Sequence, residues 1–189
     1  MMSAPRARRR IGALVPVTVI AAALLAGCVT QQVAPYQASV ANQMKLGGLP
    51  RGAHFQVAPA GGDPADVQTS IRAVRIAAPA DGSWTAYLDQ ALRTELETSG
   101  NYDAKAAVSI EATLSEVHIA DGQAHVTGRF VVRNGASVRY DKVLRADATW
   151  DSAFLAAIAA SSGMNQSTAI FQALLRKLFE DPDFARSAA

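Results

Sequence analysis

Cysteine is almost missing from this chain: 189 residues contain one, Cys28. A single thiol excludes an intrachain disulfide and any cysteine-rich metal site. No apolar run reaches the roughly 20 residues that a stable membrane helix requires. Also absent are the His-Glu-x-x-His pattern, a glycine loop of the phosphate-cradling kind and the dinucleotide fingerprint. Ser161-Ser162-Gly163 lacks the glycine before serine that a nucleophile elbow needs. A basic surface is missing too. The formal charge is +2, and Arg6, Arg8, Arg9 and Arg10 more than account for it, so the rest of the chain sits near −2. Nothing in that balance calls for a nucleic-acid partner. These gaps argue against a catalytic centre, and no cofactor is expected.

The N-terminus carries the sharpest positive signal. Residues 1–10 hold the four arginines and no acid, and residues 11–26 are apolar apart from Thr18. A charged start, a short apolar stretch and small residues before a cut site describe a secretory signal. Gly12 and Pro16 weaken any reading of the stretch as a retained anchor helix. Arg8-Arg9-Arg10 also fits twin-arginine export, although an ordinary charged start suffices.

The ending Leu25-Ala26-Gly27-Cys28 resembles the lipobox of bacterial lipoproteins. The resemblance implies a diacylglyceryl group on the Cys28 thiol, cleavage after residue 27 and acylation of the new amino group. Residues 1–27 are then a signal peptide, and Cys28 is the attachment point to a membrane. Two or more acyl chains anchor stably where one does not, at about 0.8 kcal/mol per buried methylene. Val29 stands where an aspartate commonly retains lipoproteins in the inner membrane. The expected location is therefore the outer membrane, facing the periplasm.

Removing 27 of 189 residues leaves 162, enough for one domain and a tail. Residues 28–67 are rich in Ala, Gln, Gly and Pro and show no sustained period. They read as the lipidated cysteine followed by a flexible linker, with a short strand at His54–Ala58. Residues 68–189 have the texture of a folded domain. Thr69–Ala77 reads as one strand. Ser83 is a helix N-cap, and Trp84, Tyr87, Leu88, Ala91, Leu92 and Leu96 repeat as one helical face up to Gly100. Trp84 and Tyr87 are assigned to packing rather than to a binding groove. Asp81, Asp89, Glu95 and Glu97 are assigned to the solvated side of this helix.

Strand signals follow. Val108, Ile110, Ala112 and Leu114 alternate, and Val117 and Ile119 continue on the opposite parity, which requires a bulge near Ser115-Glu116. Asp121-Gly122 is a two-residue hairpin turn. Ala124, Val126, Gly128, Phe130 and Val132 then point inward. A three-residue loop, Arg133-Asn134-Gly135, is expected next, pairing Phe130 with Val138 and Gly128 with Tyr140. The following strand runs to Trp150. Residues 152–163 stay unassigned, with Phe154–Ala160 read as strand running into a packed loop, and a final helix spans Asn165–Glu180 before Pro182.

The expected fold is α+β: a four-stranded, mainly antiparallel sheet in the order strand, helix, three-strand meander, helix, with both helices on one face. Arg72, Glu111, Thr113, Thr127, Arg129, Arg139 and Asp141 line the other, wet face. On that face the Asp121-Gly122 turn places His118 opposite His125, with Glu116 nearby. Two imidazoles and a carboxylate are able to ligate zinc or copper at about 2 Å, or to repel when protonated and sense pH. Structural zinc normally takes four protein ligands, so two exposed polar residues on a solvated face is the simpler reading.

A lipobox, a linker, a strand, the helix Trp84–Gly100, a meander and the ending Leu178-Phe179-Glu180-Asp181-Pro182-Asp183-Phe184 together resemble small bacterial envelope lipoproteins of the YajG-like type. Transport-auxiliary lipoproteins of the envelope share a related layout. The resemblance covers residues 68–184, rests on layout and implies no catalytic residue. It implies a lipid-anchored, non-enzymatic accessory that binds an envelope protein partner or assists assembly or transport. The competing expectation is a periplasmic metal-binding protein or hydrolase using His118 and His125.

Overall fold

The helix after Ser83 forms where its spacing places it. It runs Trp84–Ser99; the Ser83 hydroxyl accepts from the Ala86 amide, and Gly100 closes it at φ 76°. Asp63 adds a second cap, its Oδ1 accepting from the Thr85 amide at 2.9 Å and from the Ser83 hydroxyl at 2.8 Å. In the computed structural model, which describes residues 29–59, 61–64, 66–79, 83–153 and 156–188, this helix is the second of four. The order is β1 (Val29–Gln32), α1 (Val40–Leu46), β2 (Phe55–Ala58), β3 (Asp66–Ile71), β4 (Val74–Ala77), α2 (Trp84–Ser99), β5 (Val108–Ala120), β6 (Gln123–Asn134), β7 (Ser137–Thr149), α3 (Ala156–Glu180) and α4 (Pro182–Ser187).

The fold is α+β, but the sheet is mixed and seven-stranded, not four-stranded and mainly antiparallel. Its order is β1-β4-β3-β5-β6-β7, with β2 also pairing β5. Three pairings are parallel: β1 with β4, β2 with β5 and β3 with β5. Parallel neighbours need a long crossover, and between β3 and β5 the hairpin strand β4 and helix α2 provide it. β2 and β3 share one edge of β5, β2 along Val108–Glu111 and β3 along Glu116–Ile119.

The expected strand Thr69–Ala77 is instead a hairpin. Ile71 pairs with Val74, so Arg72 and Ala73 form the turn, and Arg72 adopts φ 55°. A non-glycine residue seldom takes that conformation, and no Gly, Asn or Pro marks the turn. The Arg72 guanidinium secures it: Nε donates to Asp121 Oδ2 at 2.9 Å and Nη2 to the Ala153 carbonyl at 2.7 Å. One side chain thereby ties the β3–β4 turn to the β5–β6 turn and to the segment after β7.

The meander is close to expectation, with one correction. The bulge falls between Leu114 and Glu116, and Ala120 pairs with Gln123 across Asp121-Gly122. The second connection has two residues, Gly135-Ala136, because Asn134 pairs with Ser137. A bulge at Arg139 then restores the inward parity that a three-residue loop was expected to supply. Val132 therefore faces Tyr140, Phe130 faces Lys142 and Gly128 faces Leu144.

Helix α3 starts at Ala156, not near Asn165. Its first turns carry no large apolar period because they pack through small residues. Ala159 and Ala160 are buried, and a Cβ on Gly163 would run into Ile71 of β3. The Ser167 hydroxyl donates back to the Gly163 carbonyl at 2.7 Å, a local bond that hides a polar group mid-helix. α2 and α3 cover one sheet face as expected. Trp84, 3% exposed, stacks on Phe171 at 5.6 Å, which places it in the core.

The largest correction concerns residues 28–67. The described part of this stretch is folded onto the domain: Val33, Tyr36, Leu46, Ala53, Phe55 and Val57 all belong to the core. Glu95 of α2 holds it there. Contrary to the expectation of a solvated carboxylate, Glu95 is fully buried. Its Oε1 accepts from Tyr36 Oη at 2.7 Å, from the Ser39 amide at 3.0 Å and from Asn42 Nδ2 at 2.8 Å. Gln43 Nε2 donates to Oε2 and to the Glu95 carbonyl. Burial and the neighbouring carboxylate push the Tyr36 hydroxyl well above the usual tyrosine range.

The C-terminal residues close the other end. Asp181 caps α4, accepts from Tyr140 Oη at 3.1 Å and binds Lys142 Nζ at 2.7 Å. Phe184 is buried and stacks on Phe55 at 5.4 Å.

Truncating Glu95 leaves buried donors unmatched. Glu95→Ala is expected to lower unfolding free energy by about 3 kcal/mol or more, whereas exposed Glu97→Ala changes it by about 0.5 kcal/mol or less. Urea denaturation of the two variants checks this; equal effects would contradict the role given to Glu95.

Candidate functional site on the polar sheet face

Strand parity builds the face away from the helices. Across β3, β5, β6 and β7 the register aligns Gln68, His118, His125 and Asp147 in one row, with Asp66, Glu116, Thr127 and Arg145 in the next. The His118 and His125 rings lie face to face, centroids 4.6 Å apart and planes 3° from parallel. The sequence spacing across the Asp121-Gly122 turn predicts this pairing.

Glu116 joins the pair but not as a third metal ligand. His125 Nε2 lies 2.8 Å from Glu116 Oε1. An ionised carboxylate only accepts, so this nitrogen carries the proton and donates. Thr127 Oγ1 donates to Glu116 Oε2 at 3.1 Å, and Arg145 Nη1 does so at 2.8 Å. The hydrogen bond from His125, followed by those from Thr127 and the Arg145 charge, holds the Glu116 carboxyl below its ordinary range.

A metal bound by two imidazoles must lie in the plane of each ring, where the lone pairs point. Two parallel, stacked planes do not meet, so His118 and His125 do not converge on one ion as arranged. Among the described residues, no group of three or more His, Cys, Asp or Glu side chains is placed to hold a metal. Ser161, Ser162 and Gly163 lie within α3, away from any turn between strand and helix.

Beside the histidines the same face opens into a cleft of about 550 Å³ lined by Gln68, Ser70, Arg72, Arg75 and His118. Arg75 projects on the outer face between Thr30 of β1 and Ser70 of β3, its paired neighbours. His118 Nε2 is buried and has no hydrogen-bond partner among the described residues. The sequence reading missed Arg75 and this cleft because it treated β3 and β4 as one strand. It missed Glu95 as well, although its position four residues after Ala91 and three after Leu92 sets it within the apolar stripe. Of the other residues singled out, Arg129 pairs with Asp141 across β6 and β7, Nε to Oδ1 at 2.7 Å. Phe154, Asp81 and Cys28 lie outside the described residues.

Glu116 sets a pH dependence. Its folded value is depressed, so its contribution to stability is full above the unfolded glutamate value of about 4.3 and fades as pH falls through the lower folded value. Between pH 6 and 3 the wild-type Tm is expected to fall more steeply than that of Glu116→Gln. Parallel curves in a thermal melt series would remove the carboxylate from this role. Zinc titration is expected to show no micromolar binding that depends on His118 and His125.

No protein-family model matches the chain, and no curated protein does. The fold is similar to that of protein XCC0632 from Xanthomonas campestris, a crystal structure described as DUF330, with a TM-score of 0.54 over 80% of this chain and 95% of that one. The two sequences are 10% identical. At that identity the likeness concerns the fold: this chain has an α+β architecture shared with a DUF330 protein.

Proposed function

We propose that the protein is a lipid-anchored, non-enzymatic lipoprotein of the cell envelope, a binding or assembly and transport accessory on the periplasmic side of the membrane. The observation that carries this reading is the Leu25-Ala26-Gly27-Cys28 lipobox after a charged and apolar leader. The YajG-like resemblance and the layout related to transport-auxiliary lipoproteins belong to the same proposal; the fold likeness to a DUF330 protein supports the α+β architecture alone. Val29, in place of a retention aspartate, favours the outer membrane. The partner is an envelope protein.

The fold adds a constraint to this reading. β1 begins at Val29, immediately after the proposed acylated residue, and pairs along β4. Once Val29 is paired, no free chain separates the anchor from the sheet, so the domain rides directly on the bilayer instead of swinging on a tether. The metal-binding alternative loses support from the parallel histidine rings.

Mass spectrometry of protein from its native host is expected to show a chain that begins at Cys28 and carries a diacylglyceryl group and an N-acyl group. An intact leader with an unmodified thiol would overturn the proposal.

A further inference from the structure

We propose that the cleft on the outer face of β4, β3 and β5 binds the phosphate of an anionic phospholipid headgroup in the membrane that carries the protein. The inference rests on the lipid-anchor reading for the position of the bilayer. Its chemistry comes from the cleft.

Position follows from covalent geometry and register. Cys28 and Val29 are consecutive, so their Cα atoms are about 3.8 Å apart. Val29 pairs with Val74, and Arg75 follows; adjacent strands lie about 4.8 Å apart. The Arg75 backbone is therefore within roughly 10 Å of the acylated residue by these spacings. Acyl chains entering the bilayer at Cys28 bring the headgroup layer to the rim of this cleft. Val29, 56% exposed, presents an apolar side chain at the same end.

Charge selects the ligand. Arg72 already pairs with Asp121. Arg75 is exposed and makes no ion pair among the described residues. Hydroxyls flank it on both sides, from Thr30 and Ser70. A guanidinium fork with neighbouring hydroxyl donors matches the oxygens of a phosphate. Gln68 on the cleft lining offers a further polar contact to the glycerol or amine beyond it. A cleft of about 550 Å³ falls within the range of small-ligand sites.

The test uses the full protein, purified with its acyl chains from native membranes in non-ionic detergent. It is mixed with equal amounts of phosphatidylglycerol and phosphatidylcholine, and separately with inorganic phosphate, and the adducts are counted by native mass spectrometry. Retention of one phosphatidylglycerol in preference to phosphatidylcholine is expected. Arg75→Gln should weaken retention about tenfold, the loss of one charge-assisted contact, while Arg51→Gln, exposed in a distant turn, should leave it unchanged. Equal retention of both lipids, or indifference to Arg75→Gln, overturns the proposal. Inorganic phosphate retained as well as phosphatidylglycerol overturns it too, and assigns the cleft to free phosphate. The same spectra report the mass on Cys28. A bare thiol with lipid selectivity intact breaks the anchor reading alone, and an acylated protein without selectivity breaks the headgroup site alone.

Discussion

A carboxylate removed from water must be matched by donors, and among the described residues the Glu95 side chain draws its partners from a single stretch, residues 36–43. Hydrogen bonds to charged groups contribute roughly 1.5–3 kcal/mol each, and these bonds reach across more than fifty residues of sequence. Their consequence is topological. With Tyr36, Ser39, Asn42 and Gln43 fixed to α2, the chain on either side has little slack. Val33 is drawn into the core and β1 is held along β4; downstream, β2 is laid beside β5. The N-terminal segment becomes part of the domain through one buried acid.

That dependence explains what could and could not be read from the chain. Signals confined to a few neighbouring residues were legible: the Ser83 and Gly100 caps, the parity change at Ser115-Glu116, the Asp121-Gly122 turn and the resulting His118–His125 pair. The missed elements take their order from distant contacts. α1 has seven residues and buries only Asn42 and Leu46, too few to display a period, and one of the two is polar. β1 is exposed along most of its length, so it shows no alternation. The Arg72 turn is held by Asp121, 49 positions away. The start of α3 packs through alanine and glycine, which carry little hydrophobic signal. At the site, the register gave the histidines but not their ring planes, which decide whether a metal can be shared. The cleft was hidden because it exists only once Thr69–Ala77 folds into two strands.

The same face combines two kinds of polar surface. Around Glu116 every charge is answered: His125, Thr127 and Arg145 surround the carboxylate, and Arg145 also reaches Asp147. Such a lattice matches charge to charge within the sheet and leaves little for a ligand to satisfy. Around Arg75 no ion pair forms among the described residues. An unmatched guanidinium on a concave surface costs little while water fills the cleft. It gains most where a phosphate replaces that water.

The two ends of the strand order β1-β4-β3-β5-β6-β7 differ in a way that bears on how the domain meets its surroundings. β7 offers thirteen residues of free edge, long enough to recruit another strand. Arg139, Asp141, Lys142, Arg145 and Asp147 stud it, and charge is a common device against edge-to-edge pairing. Lys142 is further drawn inward by Asp181 and Asp183. The opposite edge, β1, has four residues, is polar after Val29 and lies next to Cys28. An acyl anchor at that point would place the short edge against the bilayer, where another protein strand has no room to add. Strand addition is thus discouraged at the β7 edge by charge, and under the proposed anchor it would be blocked at the β1 edge by the bilayer. Neither constraint applies to the outer surface of the helices, where Val40 and Met44 of α1 stand exposed one turn apart, or to the sheet face beyond the histidines.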